Sequence, residues 1–337
     1  MSRQSTLARL NAIPRQRLGM LPTPLVAARE LGRAIGLPEL WIKHDELIGF
    51  GFGGNKVRGL ELLLADAAEK QADVIVTGAG AQSNHVRASA AAAAHGGLEM
   101  VAVYWGKEPN MAQGNHRLTR LLGAKTHFTN SLDRARVDVV IEEVAADLRA
   151  SGRRPYAIPR GGACALGVLG HVLAVREFSA QCAALNLAPG VILLATGSGT
   201  TLAGWLLGSA LLGAPWRLEG VTVSRPSAEV HACIATLAQA GAALLDMPAS
   251  IAEADIFVHD GYIGEGYGIP TEAGDAAVQL AARVQGVFLD PTYTGKAFAA
   301  IGALATQGHF RSSGPVVFIH SGGEPALFAD LQHVRPQ

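Results

Sequence analysis

The chain has 337 residues, of which 49% are hydrophobic and 17% are charged, so it can bury a sizeable core and is expected to be globular. Its 28 basic and 28 acidic side chains leave no net charge at pH 7. Because no global field of one sign exists, binding to nucleic acid or to an anionic membrane surface is not expected. A small molecule is the expected partner.

The cysteines indicate a reducing compartment. Cys164, Cys182 and Cys233 are an odd number without Cys-x-x-Cys spacing, which argues against a disulfide framework and against a thiolate metal site. The start of the sequence is not followed by an apolar signal segment, and no apolar run approaches the length of a membrane span. We therefore expect a cytoplasmic protein without a membrane segment.

The first polar loop places one lysine after a pair of glycines, in residues 53–56. Glycines let a flat ring approach the backbone, and apolar residues at helical spacing over 57–67 predict a helix that begins near Lys56. The helix dipole and removal from water both favour the neutral amine of Lys56, the form that makes a Schiff base. Two alternatives stay open: Lys56 is exposed behind an Asn55 N-cap, or residues 49–54 are a Gly-x-Gly-x-x-Gly nucleotide turn.

Short apolar runs alternate with helix-length segments over most of the chain. Such alternation is typical of βαβ units, and the even apolarity of the runs indicates strands that are buried on both faces. The predicted fold class is α/β, with mostly parallel twisted sheets flanked by helices, and the loops after the strands are where a ligand is expected. The runs are Val74–Val76, Met100–Val103, Val191–Leu194, Val221–Val223 and Val316–Ile319.

The loop after the first of these runs contains Ser83, Asn84 and His85 at the start of an alanine-rich helix. If this loop faces the same cleft as Lys56, Asn84 is placed to bond a phenolic oxygen and Ser83 a substrate carboxylate; the alternative is an ordinary N-cap. His85 and the other histidines lack the spacing of a helical metal-binding pair, so no metal is expected.

The loop after Val191–Leu194 is rich in hydroxyl groups and glycines at the start of a helix. Backbone N–H groups and hydroxyls at a helix N-terminus fit a phosphate, and the missing third glycine and lysine favour a single phosphomonoester over a pyrophosphate or triphosphate. The alternative is a tight strand-to-helix turn. The residues are Thr196, Gly197, Ser198, Gly199, Thr200 and Thr201.

Three tyrosines lie in two further loops. Tyr262 and Tyr267 belong to a glycine-rich stretch that is suited to cover a site, and Tyr293 precedes Thr294 at the start of another helix. Loop tyrosines are also ordinary partly buried residues, so the sequence alone leaves both interpretations open.

Taken together, these motifs resemble the family of D-cysteine desulfhydrase and aminocyclopropane-carboxylate (ACC) deaminase, in order along nearly the whole chain. The resemblance implies a pyridoxal 5'-phosphate enzyme with the tryptophan synthase β fold (fold type II) and a homodimer. It also implies a large cofactor domain, residues 1–52 and 163–337, and a small mobile domain, residues 53–162. The segments that carry the resemblance are 53–58, 82–87, 222–225, 290–296 and 320–328.

The resemblance also implies roles for single residues. Lys56 is the Schiff-base lysine, Asn84 bonds the ring hydroxyl of the cofactor, and the loop from Thr196 to Thr201 holds its phosphate. Ser83 acts at the substrate with Tyr293 beside it. The remaining residues expected to border the substrate, besides Ser83 and Asn84, are His85, Tyr262 and Tyr267.

Two hydroxyl residues, Thr294 and Ser321, stand where the deaminases have glutamate and leucine. A neutral donor near the pyridine nitrogen suits β-elimination, so the resemblance implies D-cysteine desulfhydration to pyruvate, hydrogen sulfide and ammonia. Ser321 in place of threonine, and the segment 44–52, depart from the desulfhydrase pattern. The alternatives are ACC deamination, L-cysteate lysis with release of sulfite, and a non-catalytic nucleotide-binding protein. In L-cysteate lysis, Arg160 would bind the sulfonate, unless this residue is exposed on the surface.

Overall fold

The computed structural model describes residues 2–248, 251–311 and 313–330 and consists of two sheets flanked by helices. The strands in this part of the chain are β1 (Leu25–Ala27), β2 (Leu40–His44), β3 (Val74–Ala79), β4 (Glu99–Tyr104), β5 (Lys125–Phe128), β6 (Pro155–Ala157), β7 (Val191–Thr196), β8 (Arg217–Thr222), β9 (Phe257–His259) and β10 (Val316–His320).

The α-helices are α1 (Arg3–Ala12), α2 (Arg29–Ala34), α3 (Lys56–Glu69), α4 (Asn84–His95), α5 (Gly114–Leu121), α6 (Ala135–Ala150), α7 (Ala165–Leu185), α8 (Thr200–Leu212), α9 (Ser227–Leu244), α10 (Glu272–Gln285) and α11 (Thr294–Thr306). Short 3-10 helices lie at Asp45–Ile48, Arg160–Gly162, Glu253–Asp255 and Glu324–Phe328. Among the helices described, none is long and apolar enough to cross a membrane.

The larger sheet has the strand order β1-β2-β10-β7-β8-β9, and the smaller sheet has the order β5-β4-β3-β6. Only β1 pairs antiparallel with its neighbour, and the other described pairs are parallel. Every residue of β3, β7 and β10 is buried, as expected for strands that helices cover on both faces. The predicted α/β class with mostly parallel sheets is confirmed.

The five apolar runs fall within or beside strands β3, β4, β7, β8 and β10. Val223 is the exception, because β8 ends at Thr222. The short strands β1, β5, β6 and β9 were not predicted. They have three or four residues each and are partly exposed, so neither an alternating nor a continuous apolar pattern is long enough to mark them.

Helix α3 links the two sheets. Leu62 belongs to the core of the larger sheet, whereas Leu60 and Leu63 belong to the core of the smaller one. Helix α7 packs closely on α3, since a Cβ atom at Gly170 would lie 2.3 Å from the carbonyl oxygen of Arg58. The N-terminus of α3, and Lys56 with it, is therefore fixed between the two sheets.

The smaller sheet lies entirely within residues 53–162, the range predicted for the small domain. Helix α3 starts inside this range and yet packs on α7 of the other part of the chain. The mobility of the small domain, and its boundaries, stay predictions.

A buried carboxylate, Glu219 in β8, is held by two imidazoles. Its Oε2 lies 2.6 Å from Nε2 of His259 and 3.0 Å from Nε2 of His309, and the guanidinium of Arg217 lies beside Oε1. Burial raises the pKa of Glu219, but the hydrogen bonds from the two histidines and the charge of Arg217 lower it further, so the net pKa lies below the ordinary 4.5.

We expect Glu219→Gln to lower the free energy of unfolding by about 1.5–3 kcal/mol at pH 7, because the charge-assisted bonds are lost. A carboxyl group with a depressed pKa stabilises the fold above its unfolded pKa of 4.5 and loses this contribution as the pH falls below it. Urea unfolding at pH 7 and at pH 3 should therefore show a gap between wild type and variant that shrinks at pH 3. A gap that grows in acid would contradict this assignment.

Candidate functional site

A cleft lies at the carboxyl ends of the strands of both sheets. This is the edge at which parallel α/β sheets bind ligands. The cleft is lined by Asn55, Lys56, Ala79, Ser83, Asn84, His85, Trp105, Arg134, Arg160, Gly161, Ala195, Thr196, Gly197, Ser198, Gly199, Thr201, Ser224, Arg225, Tyr267, Tyr293 and Ser321.

Lys56 is the first residue of α3, and its side chain opens onto the cleft. Its amine makes one long hydrogen bond, 3.3 Å from Nζ to the carbonyl oxygen of Gly161, and has no carboxylate partner among the described residues. Burial lowers the pKa of this amine from 10.5 to about 8, so a substantial fraction is neutral near neutral pH. The site therefore contains a nucleophilic amine that can also accept a proton.

The two glycines before Lys56 are required by close backbone contacts. Gly53 has a φ of +69°, and a Cβ atom there would lie 1.8 Å from the carbonyl oxygen of Glu46. Gly54 has a φ of +97°, and its Cβ would lie 3.2 Å from the carbonyl oxygen of Ser321. The glycine pair thus lets the loop before α3 pass directly against the loop after β10.

The loop at 49–54 does not have the geometry of the nucleotide turn that the sequence left open as an alternative. A 3-10 helix, Asp45–Ile48, separates this loop from strand β2, so the strand does not lead directly into the turn. The guanidinium of Arg87 donates hydrogen bonds to two carbonyl oxygens of this loop, those of Gly51 and Gly53. The loop is therefore held by the protein itself.

Helix α8 begins in the hydroxyl-rich loop that follows β7. The residues Thr196, Gly197, Ser198, Gly199 and Thr201 line the cleft, whereas Thr200 lies behind them and bonds Oγ of Ser198 at 3.0 Å. The alternative in which Lys56 is exposed required the side chain of Asn55 to cap helix α3. It does not cap the helix; its Nδ2 donates instead to Oγ1 of Thr201 at 2.9 Å.

Helix α4 presents its N-terminus to the same cleft. Ser83 caps the helix by accepting from the backbone N–H of Val86 at 3.3 Å, so the N-cap alternative also describes this residue. Asn84 accepts from Asn115 through Oδ1 at 2.9 Å, which orients the amide and leaves its NH₂ group for a ligand. The predicted residues Ser83, Asn84 and His85 all line the cleft.

His85 is neutral and its tautomer is fixed. Its Nε2 lies 3.0 Å from Oγ1 of Thr77, and that hydroxyl donates its only proton to the carbonyl oxygen of Ile158 at 2.8 Å. Nε2 must therefore carry the hydrogen, and Nδ1 is the acceptor. Burial, followed by the charge of Lys56, lowers the pKa of His85 to about 3.

Aromatic rings form part of the wall of the cleft. The hydroxyl groups of Tyr267 and Tyr293 are hydrogen-bonded to each other, and both side chains line the cleft. The guanidinium of Arg134 lies 5.1 Å from the ring centroid of Tyr267 and 5.5 Å from that of Trp105. Burial raises the pKa of both tyrosines, so each is a neutral phenol.

Two predicted residues lie outside the cleft lining. Tyr262 packs against the core of the larger sheet. Thr294 is fully buried, and its hydroxyl bonds the carboxylate of Asp290 at 2.8 Å and accepts from the Asp290 backbone at 2.7 Å. Tyr262 therefore has no contact with the cleft, and Thr294 reaches it only through its neighbour Tyr293.

Sequence reasoning missed Trp105 and Arg134, and it left open where Arg160 lies. Trp105 follows β4 and Arg134 precedes α6, and neither lies in a loop that the sequence patterns marked as part of a site. Arg160 lines the cleft, which excludes the fully exposed alternative. Trp105 comes directly after the end of a predicted strand, which is a sequence signal that could have identified it, whereas Arg134 and Arg160 follow β5 and β6, which were not predicted.

Two groups of carboxylate and imidazole side chains lie elsewhere, each with ligand atoms within 4.8 Å of one another. They are Glu219, His259 and His309, and Glu46, His320 and Glu324. None of these residues lines the cleft, so the expectation that the site uses no metal stays a prediction.

The donors in the cleft fit pyridoxal phosphate. The N-terminus of α8, with its hydroxyls and backbone N–H groups, suits a phosphomonoester. Oγ1 of Thr196 is buried with no hydrogen-bond partner among the described residues, which is costly without a ligand. The low-pKa amine of Lys56 suits attachment to an aldehyde.

Comparison with known proteins agrees with this fit. Residues 17–322 match the family model "Pyridoxal-phosphate dependent enzyme". The chain is 40% identical over 335 residues to D-cysteine desulfhydrase of Klebsiella pneumoniae (strain 342), covering 98% of this chain and 100% of that one.

Solved structures share the fold. An ACC deaminase homologue superposes with a TM-score of 0.89 at 35% identity and 96% coverage of both chains. Maize serine racemase superposes with a TM-score of 0.64 at 17% identity, over 98% of this chain and 94% of that one. The chain therefore belongs to the pyridoxal-phosphate dependent enzymes, in the family of D-cysteine desulfhydrase and ACC deaminase, and its cofactor is pyridoxal phosphate.

Proposed function

We propose that this enzyme eliminates a sulfur leaving group from the β-carbon of a small amino acid, with D-cysteine as the substrate and pyruvate, hydrogen sulfide and ammonia as the products. The observation that carries the proposal is the absence of any aspartate or glutamate from the lining of the cleft, within the part of the chain that the structure describes. No carboxylate is present there to keep the pyridine nitrogen protonated, which favours loss of a good leaving group over opening of a cyclopropane.

Pyridoxal phosphate, when bound, withdraws electrons from the α-carbon of the amino acid joined to it. Lys56 then serves as the general base for the α-proton, because its amine is neutral in a large fraction of molecules near pH 8. The protonated Lys56 can in turn return a proton within the cleft.

The α-carboxylate of the substrate is assigned to the N-terminus of α4. Ser83 and the backbone N–H groups of the first turn supply donors, and the helix dipole favours a negative charge there. The NH₂ group of Asn84 is assigned to the phenolic oxygen of the cofactor, since its Oδ1 is already bonded to Asn115. His85 contributes a neutral acceptor at Nδ1.

Tyr293 is assigned to the leaving group. Its raised pKa means that it stays a neutral phenol, so it can stabilise a departing thiolate by donating a hydrogen bond. Tyr267 holds it in place through the hydroxyl pair. Ser321 supplies the neutral hydroxyl near the ring nitrogen, and buried Thr294 supports that wall through Asp290. A homodimer in the cytoplasm completes the proposal.

The proposal is tested by measuring keto acid and sulfide released from D-cysteine, L-cysteine and ACC by the purified, cofactor-loaded enzyme. We expect equal amounts of pyruvate and sulfide from D-cysteine and no 2-oxobutyrate from ACC. The double variant Thr294→Glu with Ser321→Leu tests the assignment of the two hydroxyl residues. Its rate of desulfhydration should fall about tenfold or more, in line with loss of one oriented donor. Turnover of ACC by the wild-type enzyme, or unchanged desulfhydration in the variant, would contradict the proposal.

A further inference from the structure

Three ionisable side chains converge at a place outside the lining of the cleft. Glu46 lies in the 3-10 helix that follows β2, His320 is the last residue of β10, and Glu324 begins the 3-10 helix after it. One ligand atom of each residue lies within 4.8 Å of the other two. The sequence argument against a metal considered helical histidine pairs only, so it does not apply to a group that is assembled from separate segments.

Each of the two carboxylates has one oxygen that is buried without a hydrogen-bond partner among the described residues. These atoms are Oε2 of Glu46, whose side chain is only 8% exposed, and Oε2 of Glu324. No described lysine or arginine lies within 4 Å of either carboxylate. Burial of a charged group without a partner is costly, so these two oxygens require a positive charge beside them.

The nearby charges do not supply it. Asp290 is a third, fully buried carboxylate, and it lies against Gly323, the neighbour of Glu324 in the chain. The guanidinium of Arg87 is close enough for its charge to interact with that of Glu324, but its N–H groups donate to carbonyl oxygens of the loop at 49–54. Three carboxylates therefore lie beside one guanidinium that is already bonded elsewhere.

His320 presents a lone pair to this group. Its Nε2 lies 3.0 Å from the carbonyl oxygen of Phe288, which can only accept, so Nε2 carries a hydrogen. Its Nδ1 accepts from the backbone N–H of Gly322 at 3.3 Å. The same Nδ1 lies 3.6 Å from Oε2 of Glu46, which is too long for a hydrogen bond. A nitrogen lone pair and a carboxylate oxygen that face each other in this way repel unless a cation lies between them.

The groups behind these ligand atoms are those that metal sites use. A histidine that binds a metal almost always donates its other ring N–H to a carbonyl or carboxylate oxygen, as His320 does to Phe288. Carboxylate ligands are themselves hydrogen-bonded, and Oε1 of Glu46 is bonded to Nδ1 of His44. An imidazole nitrogen with two carboxylates suits a divalent ion such as Zn²⁺, whose two charges balance those of the carboxylates.

We propose that Glu46, His320 and Glu324 bind one divalent metal ion of the class of Zn²⁺, at a site outside the cleft. His320 and Glu324 lie on either side of Ser321 in the chain, and the carbonyl oxygen of Ser321 accepts from the backbone N–H of Asn55 at 3.0 Å. The ion therefore fixes the loop after β10 against the segment that leads into α3. No step of the proposed elimination uses this ion, so the two proposals stand or fall separately.

The first test titrates ZnCl₂ into the cofactor-loaded enzyme by calorimetry, after treatment with a chelator and dialysis. We expect about one Zn²⁺ ion per chain, as in a site with three protein ligands. His44→Ala removes only the group behind Glu46 and should raise Kd about 10- to 100-fold. Glu46→Gln and Glu324→Gln each remove a charged ligand at nearly constant volume, so Kd should rise more than about 100-fold.

The matched control is His259→Gln, in the other group of imidazole and carboxylate side chains. That group has the same types of ligand, but Glu219 is already bonded by His259 and His309, and the guanidinium of Arg217 repels a cation there. Kd for Zn²⁺ should be unchanged in this variant. Binding that His259→Gln abolishes and the two glutamine variants retain would overturn the assignment. So would a zinc ion that survives both glutamine substitutions and changes the absorption spectrum of the bound cofactor.

The second test is thermal unfolding of the cofactor-loaded enzyme in chelator and in increasing Zn²⁺. An ion that binds the folded state raises Tm with its concentration, so Tm should rise in the wild type and in His259→Gln but not in Glu324→Gln. In chelator, Glu324→Gln should be at least as stable as the wild type, because it removes a buried carboxylate that lacks a partner there. A wild-type Tm that does not respond more to Zn²⁺ than that of Glu324→Gln, or a Glu324→Gln enzyme that is less stable in chelator, would overturn the metal site and indicate that a proton neutralises the carboxylates.

Discussion

Replacement of Lys56 by alanine is expected to abolish most of the elimination, lowering kcat about 10²- to 10⁴-fold, the range that a positioned general base contributes. The same substitution removes the amine that attaches the cofactor, so the visible absorption of the bound cofactor should shift and the cofactor should be lost on dialysis. Keto-acid release and absorption spectra before and after dialysis measure the two effects independently.

The fold should survive this change. Nζ of Lys56 makes a single 3.3 Å hydrogen bond, to the carbonyl oxygen of Gly161, and its burial already disfavours the charged form. The thermal unfolding of the apoenzyme should therefore be nearly unchanged. The matched control is Lys70→Ala, because Lys70 caps the other end of α3 and forms an exposed pair with Asp66. Retention of dialysis-resistant cofactor by Lys56→Ala would show that another amine attaches it.

Lys296 is the other lysine whose pKa burial lowers to about 8, but it is not a substitute for Lys56. Its Nζ donates to the carbonyl oxygens of Ile263 and Gly266, at 2.6 and 3.3 Å, and the residue is fully buried outside the cleft. A low pKa alone therefore does not identify the reactive amine; access to the cleft does.

The lowered pKa of Lys56 also sets how the apoenzyme takes up its cofactor. Only the neutral amine attacks an aldehyde, and with a pKa of about 8 its neutral fraction rises about tenfold per pH unit below that value. The rate of cofactor attachment should therefore increase up to about pH 8 and level off above it. A rise that continues to pH 10 would indicate an ordinary, solvated lysine.

The site residues that could be predicted from the sequence lie in segments whose local backbone geometry has a recognisable sequence pattern. Gly53 and Gly54 mark the loop before Lys56, Ser83 marks the start of α4, and the hydroxyl-rich loop marks the start of α8. Each of these patterns depends on local geometry, which nearby sequence determines.

Arg134 and Trp105 were not predictable in the same way. They come from the loops after β4 and β5, which have no common pattern, and they meet because β4 and β5 are neighbouring parallel strands whose carboxyl ends lie at one edge of the smaller sheet. Tyr262 illustrates the reverse case: both tyrosines of its loop were expected to border the substrate, but only Tyr267 lines the cleft. Which side chain of a loop faces a cleft depends on tertiary packing that the sequence pattern does not encode.

The position of Lys56 depends on a buried ionic cluster formed by Arg58, Asp45, Glu177 and Lys43. Arg58 donates to both carboxylate oxygens of Asp45, at 2.8 and 2.6 Å, and to Glu177 at 3.0 and 3.1 Å. Arg58 and Asp45 are almost completely buried. Burial raises the pKa of Asp45, but the charge and hydrogen bonds of Arg58 more than offset this and keep it below its ordinary value.

Arg58→Met is expected to lower the free energy of unfolding by about 3–5 kcal/mol, because it leaves the carboxylate of Asp45 buried without its main partner. Urea unfolding of the apoenzyme at pH 7 measures the loss. Glu30→Gln, which breaks the exposed pair with Arg33, is the control and should cost no more than about 0.5 kcal/mol. A loss below about 1 kcal/mol in Arg58→Met would mean that water reaches Asp45.

The double variant Arg58→Met with Asp45→Asn separates the two causes of this loss. Neutralising Asp45 removes the unpaired charge, so the double variant should be more stable than Arg58→Met alone if desolvation of that carboxylate is the main cost. Arg58 is two residues from Lys56, and the cluster joins β2, α3 and α7 at the point where α3 begins. We therefore expect the double variant to recover stability without recovering full cofactor affinity, since no ion pair then fixes the first turn of α3 against α7.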